Sequence, residues 1–237
     1  MLNHQPDKLR GGISSLPIPG TTAPLNNHDM RDLLRVARSK GFDKGAFIYR
    51  SGDPDDHVYF LRYGKVKLYR VSAAGREIIV RFCTPGDSFG LTQAMNGGRR
   101  HVNAYACERS RVMFVSREQF AAYLQTHNDV SLVVMQMLSK RVQTLEDLAA
   151  DLMSDDVSTR ILKLIWRLCA SNGSRSGEDV CIAIPLTHQD IASMVGAARQ
   201  TVTILLSRLK QQGLIRFDNR HICIESDKLA GIMNRLS

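Results

Sequence analysis

The hydrophobic period of the chain changes at Ser116, and that change limits the fold more than any other feature. From Gly45 to about Val115 the chain is a series of short alternating runs, VYFLRYGKVKLYRV, REIIVRFC, VNAYAC and RVMFV, separated by Gly52-Asp53, Gly64, Ala74-Gly75, Pro85-Gly86-Asp87 and Gly97-Gly98. A period of two puts one side of each run in a core and the other in water, and turn residues at such short intervals predict an antiparallel β sandwich, barrel or jelly roll. Beyond Ser116 apolar residues recur at three and four. Ser116 and Gln119 occupy capping-box positions at the head of SREQFAAYL, and a longer helix is predicted from Asn128 to Leu152. In it Met135, Leu138, Val142, Leu145, Ala149 and Leu152 keep the a/d spacing of a coiled-coil seam, which favours a dimer helix over one lying on its own domain's core.

The chain therefore reads as α+β, in four parts. Residues 1–28 mix Pro, Gly, Ser, Thr and Asn without period and predict a flexible arm, because they bury too little apolar area to offset their ordering entropy. Residues 29–127 form the β domain, opened by a short helix in MRDLLRVARSKGF with Gly41 as its stop. Residues 128–153 are the long helix, and residues 154–237 a second domain. There Asp156 is placed to cap VSTRILKLIWRLCAS, which runs into a flexible SNGSRSGED stretch; a short strand CIAIPL, two helices and a hairpin IRFDNRHICIE with Asp218-Asn219 at its turn follow.

The longest apolar runs, such as Val130 to Leu138, stop well short of the roughly 18 residues a membrane helix needs. Pro6, Gly11, Gly12, Pro17 and Pro19 interrupt the N-terminus where a secretory signal needs a continuous apolar stretch, so an intracellular, cytoplasmic protein is expected. A net charge of +9 favours a polyanionic partner, although most of the excess lies before Ala150 and does not locate a nucleic-acid surface. Cys83, Cys107, Cys169, Cys181 and Cys223 lie far apart with no CxxC, which predicts reduced structural thiols and neither a zinc site nor a disulfide framework.

Residues 187 to 210, THQDIASMVGAARQTVTILLSRLK, carry the function. Thr187 caps a first helix with Asp190 three residues on, Gly196 makes a turn, and Val202, Leu205 and Leu209 anchor a second helix on the core shared with Ile191 and Ala192. The outer face of that second helix presents Arg199, Gln200, Thr203, Ser207 and Lys210. These are groups a major groove accepts: Arg to guanine, Gln to adenine, Thr to a thymine methyl, Lys to phosphate. Thr187 and His188 at the first helix's start join the DNA-facing set, as do Arg216 and Arg220, with His221, on the hairpin, which fits the wing of a winged helix.

The order of these parts resembles the CRP/FNR family of bacterial transcription regulators. The matching stretches are GDPDDHVYFLRYGKVKLY, AAGREIIVRF, PGDSFG, the long helix, DDVSTRILKLI and LTHQDIASMVGAARQTVTILLSRLKQQGLI. The resemblance implies a cyclic-nucleotide-binding-type jelly roll, a dimerisation helix, and a winged helix-turn-helix that binds a pseudo-palindromic promoter site and contacts RNA polymerase. It places the hinge between sensor and reader at Asp156 and Arg160. It also marks an effector pocket at Gly90, Leu91, Arg99, Arg100, His101, Val102, Leu145 and Glu146. In cyclic-AMP-responsive members a Glu stands where this chain has Leu91, and Arg-Ser or Arg-Thr where it has His101-Val102, so cyclic AMP is not the expected effector. Arg99 and Arg100 read as a solvated turn. An iron-sulfur sensor lacks its N-terminal cysteines, a haem sensor has only His57, His101 and Met95 to draw on, and a thiol switch has Cys107 beside Glu108-Arg109. The cofactor stays open, with a small-molecule effector allowed for.

Gln200 replaces the family's commonest Glu and Ile204 a frequent Arg, so the half-site is expected to depart from TGTGA at one or two inner positions. Ala198 replaces the usual capping Ser. No arrangement of paired carboxylates, nucleophile and base, or phosphate-binding glycines suggests catalysis. The competing function is a nucleotide-binding regulatory module that docks on a partner enzyme.

Overall fold

The computed structural model describes residues 31–176, 179–182, 184–218, 221–228 and 231, so the arm expected over residues 1–28 lies outside the described residues. The first domain opens with α1 (Arg31–Val36) and continues through eight strands: β1 (Arg38–Phe42), β2 (Phe47–Tyr49), β3 (Val58–Tyr63), β4 (Val66–Val71), β5 (Glu77–Cys83), β6 (Ser88–Phe89), β7 (Asn103–Ala106) and β8 (Ser110–Val115). A short helix, α2 (Leu91–Asn96), sits between β6 and β7. The strands form two antiparallel four-stranded sheets, β1-β8-β3-β6 and β2-β7-β4-β5. Their alternating inner side chains, among them Leu61, Val66, Leu68, Phe89 and Val112, make the sandwich core. Gly64 makes the tight β3–β4 turn with φ of 95°; a Cβ there would lie 2.6 Å from the Arg109 carbonyl oxygen. The ladder between β4 and β5 slips by one residue: Leu68 opposes Arg81 while Tyr69 opposes Ile79. Val80 is the extra residue of a bulge, which bends a strand and re-aims its side chains.

Gly41 does not stop a helix. The helix ends at Val36, and Gly41 lies in β1, opposite Arg111 of β8. Edge pairing overrides the weak helical spacing of this stretch, where β1 is exposed almost throughout.

Helices α3 (Arg117–Thr126) and α4 (Asn128–Ser154) follow, α3 with the expected reciprocal Ser116–Gln119 capping box. The first part of α4 belongs to the first domain: Val130, Val134 and Met137 pack with Leu33, Phe60, Leu91 and Phe120. Of the six seam positions, Leu138 is half-buried against that same cluster, whereas Met135, Val142, Leu145, Ala149 and Leu152 are exposed.

The second domain comprises α5 (Val157–Asn172), β9 (Gly173–Ser176), β10 (Asp179–Ile182), α6 (His188–Val195), α7 (Arg199–Gln211), β11 (Arg216–Asp218) and β12 (His221–Glu225), with sheet order β11-β12-β10-β9. The start of the SNGSRSGED stretch, expected to be flexible, is ordered as β9 because β10 pairs with it from Gly173 to Ser176. Ile161, Ile165, Ile182, Ile191, Val202 and Leu206 centre the core, with Leu206 fully buried and Leu205 packed at its margin. Ile79 and Phe82 of β5 belong to the same cluster, so the first domain completes the core of the second.

Candidate nucleic-acid interface and effector pocket

The helix pair α6–α7 is built as its residues dictate. Thr187 Oγ1 accepts from the Asp190 N–H and the Asp190 side chain returns a bond to the Thr187 N–H, which satisfies two donors at the head of α6. Gly196 ends α6 in the left-handed region at φ 67°, a conformation a side chain would strain. Ala198 starts α7 without a side-chain cap. With Val202, Leu206 and Leu209 facing the core, Arg199, Gln200, Ser207 and Lys210 are exposed together with Ile204, and Thr203 is half-exposed. His188 Nδ1 lies 2.9 Å from Thr203 Oγ1, and its ring contacts Phe217 of β11.

The wing is more tied down than expected. Arg216 is exposed but ion-paired with Asp179 of β10, and His221 Nδ1 bonds the Ile182 carbonyl at 2.8 Å. Arg220 lies outside the described residues.

Cys181 and Cys223 oppose each other in the β10–β12 ladder and form a disulfide, contrary to the expectation of reduced thiols throughout. They are separated by 42 residues, so only the sheet register reveals the pair. A bridge closing a loop of that length stabilises by about 2 to 4 kcal/mol. Dithiothreitol is expected to lower the melting temperature of the wild type and to leave Cys181→Ser unchanged; identical melts of the two proteins without reductant would mean that the bridge does not form. Cys107, the candidate for a thiol switch, is not activated: burial pushes its thiol up, and Lys65 and Lys67 only partly offset this. It lines a cavity of about 190 Å³ between sensor and second domain, with Lys65, Phe82, Leu186 and Asp190.

The expected hinge is an ion lattice. Asp156 caps α5 through the Thr159 N–H at 2.7 Å, as the sequence predicts. Arg160 donates to the Asp155 carbonyl. The residues that join the helices were not anticipated: Asp151 of α4, buried, takes Lys163 at 2.8 Å and also Arg167, both on α5, and Lys163 reaches Asp155 at 2.7 Å. Acids and bases each spaced by four residues on facing helices were the available signal.

Of the eight expected effector-pocket residues, Gly90 and Arg100 are brought into contact and the others are spread over the core and the surface. Leu91 is packed in the sensor core, Val102 is half-buried against the sandwich, His101 is exposed, and Leu145 and Glu146 are exposed on α4. Arg99 is exposed and donates to the Gly52 carbonyl at 2.7 Å. Arg100, expected in a solvated turn, is fully buried. Its Nη1 donates to the Gly90 carbonyl at 2.7 Å, and Nη2 to the His57 carbonyl and, at 2.8 Å, to Asp55 Oδ2. Asp55 also accepts from Tyr59 Oη at 2.7 Å and pairs with His57 Nδ1 at 2.6 Å. Burial pushes the Asp55 carboxyl up, but the bonds from Tyr59 and His57 and the Arg100 charge outweigh it and hold it below its ordinary value. Gly90 closes the site at φ 80°, where a Cβ would meet Arg100 Nη1 at 2.8 Å. Asp55, Asp56 and His57 have atoms within 4.8 Å of one another, but the guanidinium on Asp55 opposes a metal ion there. Of the conceivable haem ligands, His57 is thus engaged, and His101 and Met95 are exposed.

A second arginine pair was not foreseen. Arg81 of β5 and Arg141 of α4 both donate to the Ser88 carbonyl, at 2.5 and 3.0 Å, and Arg141 Nε is buried with no hydrogen-bond partner among the described residues. Burial and then the Arg81 charge push Arg141 down to about 10.

A capped helix pair with its second helix bare on the outside and a hairpin at its flank is how regulators enter a major groove, and the fold defines a DNA-binding transcription regulator. Family models agree: a cyclic nucleotide-binding domain matches residues 39–127, and a Crp-like helix-turn-helix domain matches residues 159–230. A global nitrogen regulator of Synechocystis sp. is 33% identical over 78% of this chain and 83% of its own length. A CRP-like cAMP-activated global transcriptional regulator of Mycobacterium tuberculosis is 28% identical over 84% and 89%. Among solved structures, a CooA mutant from Carboxydothermus hydrogenoformans superposes with a TM-score of 0.77 at 19% identity, covering 93% of this chain and 99% of that one. FixK2 from Bradyrhizobium japonicum gives 0.71 at 25% identity, with 84% and 96% covered. The protein belongs to the CRP/FNR family of transcription regulators and carries that family's helix-turn-helix DNA-binding domain. No described helix is long and apolar enough to cross a membrane.

Proposed function

We propose that two copies of the chain pair through α4 and insert their α7 helices into successive major grooves, about 34 Å apart, of a pseudo-palindromic promoter site. The dimer regulates RNA polymerase there, in the cytoplasm, and has no catalytic role. The observation that carries this reading is the exposed Arg199-Gln200 pair on a helix anchored from behind by Val202, Leu206 and Leu209. Thr187 and His188 flank the groove, Lys210 meets phosphate, and Arg216 and Arg220 bring the wing to the backbone, Arg216 after exchanging Asp179 for phosphate.

Cyclic AMP is not required. Arg100, the one buried arginine beside Gly90, is committed to Asp55 and two carbonyls, and Leu91 offers a ribose nothing. If an effector acts, the convergence of Arg81 and Arg141 on the Ser88 carbonyl favours an anion. Asp156, Arg160 and the Asp151 lattice set the angle between α4 and α5.

Selection of sites from a random DNA pool, with and without reductant, tests the reading. Enrichment of a two-fold symmetric site is expected, and enrichment of no site would overturn it. On the selected site Arg199→Ala is expected to cost about 1 to 3 kcal/mol and to relax preference at one base pair. Equal weakening on every sequence would make Arg199 a phosphate contact instead.

A further inference from the structure

We propose that Thr203 reads a thymine through its methyl group, and that His188 is the positioning residue that confines it to that reading. The inference rests on α7 being the recognition helix.

A threonine hydroxyl has one proton and two lone pairs. Thr203 Oγ1 lies 2.9 Å from the Arg199 carbonyl oxygen and 2.9 Å from His188 Nδ1. A carbonyl oxygen only accepts, so the Thr203 proton goes to Arg199. The second contact is then a hydrogen bond only if Nδ1 carries the ring proton and donates. One arrangement satisfies both contacts, and in it the hydroxyl keeps no proton for a base acceptor. With the hydroxyl spent, the Cγ2 methyl is the group Thr203 still has to offer a base. Purine N7 and O6 and thymine O4 all need a donor, which Thr203 no longer has, whereas the thymine C5-methyl needs only an apolar neighbour.

The surroundings agree. Ser207 Oγ also donates back into its helix, to the Thr203 carbonyl at 2.9 Å, so the second hydroxyl expected at the groove is spent as well. Ile204, 63% exposed, adds a further apolar side chain to the outer surface. His188 itself is fixed from three sides. The Thr187–Asp190 capping box holds its backbone at the head of α6, Thr203 takes its Nδ1, and Phe217 of the wing meets its ring at 6.2 Å. Without the histidine N–H, only the Arg199 carbonyl holds the Thr203 hydroxyl, and its proton can also turn outward to a base acceptor.

The experiment replaces each thymine of the selected half-site in turn by deoxyuridine, which lacks only the methyl, and measures affinity. The wild type is expected to lose about fourfold per half-site at one position, the worth of one buried methyl. Thr203→Val should keep that ratio and Thr203→Ser should bring it to one. His188→Ala should shrink it and admit purines at the same position, while His188→Asn, whose amide can donate from near the place of Nδ1, should restore it. A ratio of one at every position, or a ratio unmoved by Thr203→Ser, would overturn the assignment alone. A ratio abolished by Thr203→Ser yet untouched by His188→Ala would overturn the role of His188. Failure to select any symmetric site would instead overturn the recognition-helix reading, and this assignment with it.

Discussion

Asp55→Ala is expected to lower the stability of the sensor domain by about 3 to 5 kcal/mol, the cost of leaving a buried charge without its partner. Arg100 is fully buried, and Asp55 is the carboxylate on it. The substitution strands the guanidinium with two carbonyls and also removes the acceptor of Tyr59 Oη and His57 Nδ1. Urea denaturation measures it. The double variant Asp55→Ala with Arg100→Met should recover part of the loss, because removing both charges is far milder than removing one. The pH dependence has a fixed sign. The folded carboxyl titrates below its unfolded value, so its contribution is present above the unfolded value and is lost as pH falls through the folded one. Acid should therefore destabilise the wild type more steeply than Asp55→Asn. A loss under about 1 kcal/mol would mean that water reaches Arg100 and that Asp55 is not what holds its charge.

The second large effect concerns assembly. Val142→Glu together with Leu145→Glu is expected to convert a dimer into a folded monomer and to reduce affinity for the symmetric site by more than about a hundredfold, because two half-sites then bind separately. Both side chains are more than half exposed, at 54% and 59%, so neither substitution disturbs a monomer's core. The sensor anchors on the same helix, Val130, Val134 and Met137, are untouched. Sedimentation velocity and DNA titration read the two outcomes. A variant that still sediments as a dimer would place the partner contact elsewhere than on this stripe.

Period and capping made much of the architecture legible. Alternation marked the major strands of the sandwich, and a capping box with a glycine six residues beyond Asp190 marked the start and stop of α6. Long α4 followed from spacing, and Asp156 from its place before an apolar helix. What escaped depends on register or on distance in the chain. Gly41 and residues 173–176 have no strand signature of their own and take their form from the partners that pair with them. The Cys181–Cys223 bridge and the Asp55–Arg100 pair join residues that only a finished sheet brings together. Arg100 was misjudged for a chemical reason: an arginine beside glycines is usually wet, and nothing local announces a carboxylate 45 residues earlier. At the DNA surface the residue types were evident, but the internal bonds of Thr203 and Ser207, which decide what those hydroxyls can offer, were not.

The bulge in β5 has a mechanical meaning. Arg81 on one side of it shares the Ser88 carbonyl with Arg141 of α4, while Ile79 and Phe82 are embedded in the core beneath α6 and α7. Four consecutive residues thus touch both the helix proposed to meet a second copy and the module that meets DNA. A nudge at Arg81 need not travel down α4 and around its end to be felt at the groove. It has a shortcut of a single strand segment, whose ladder to β4 the bulge interrupts and bends.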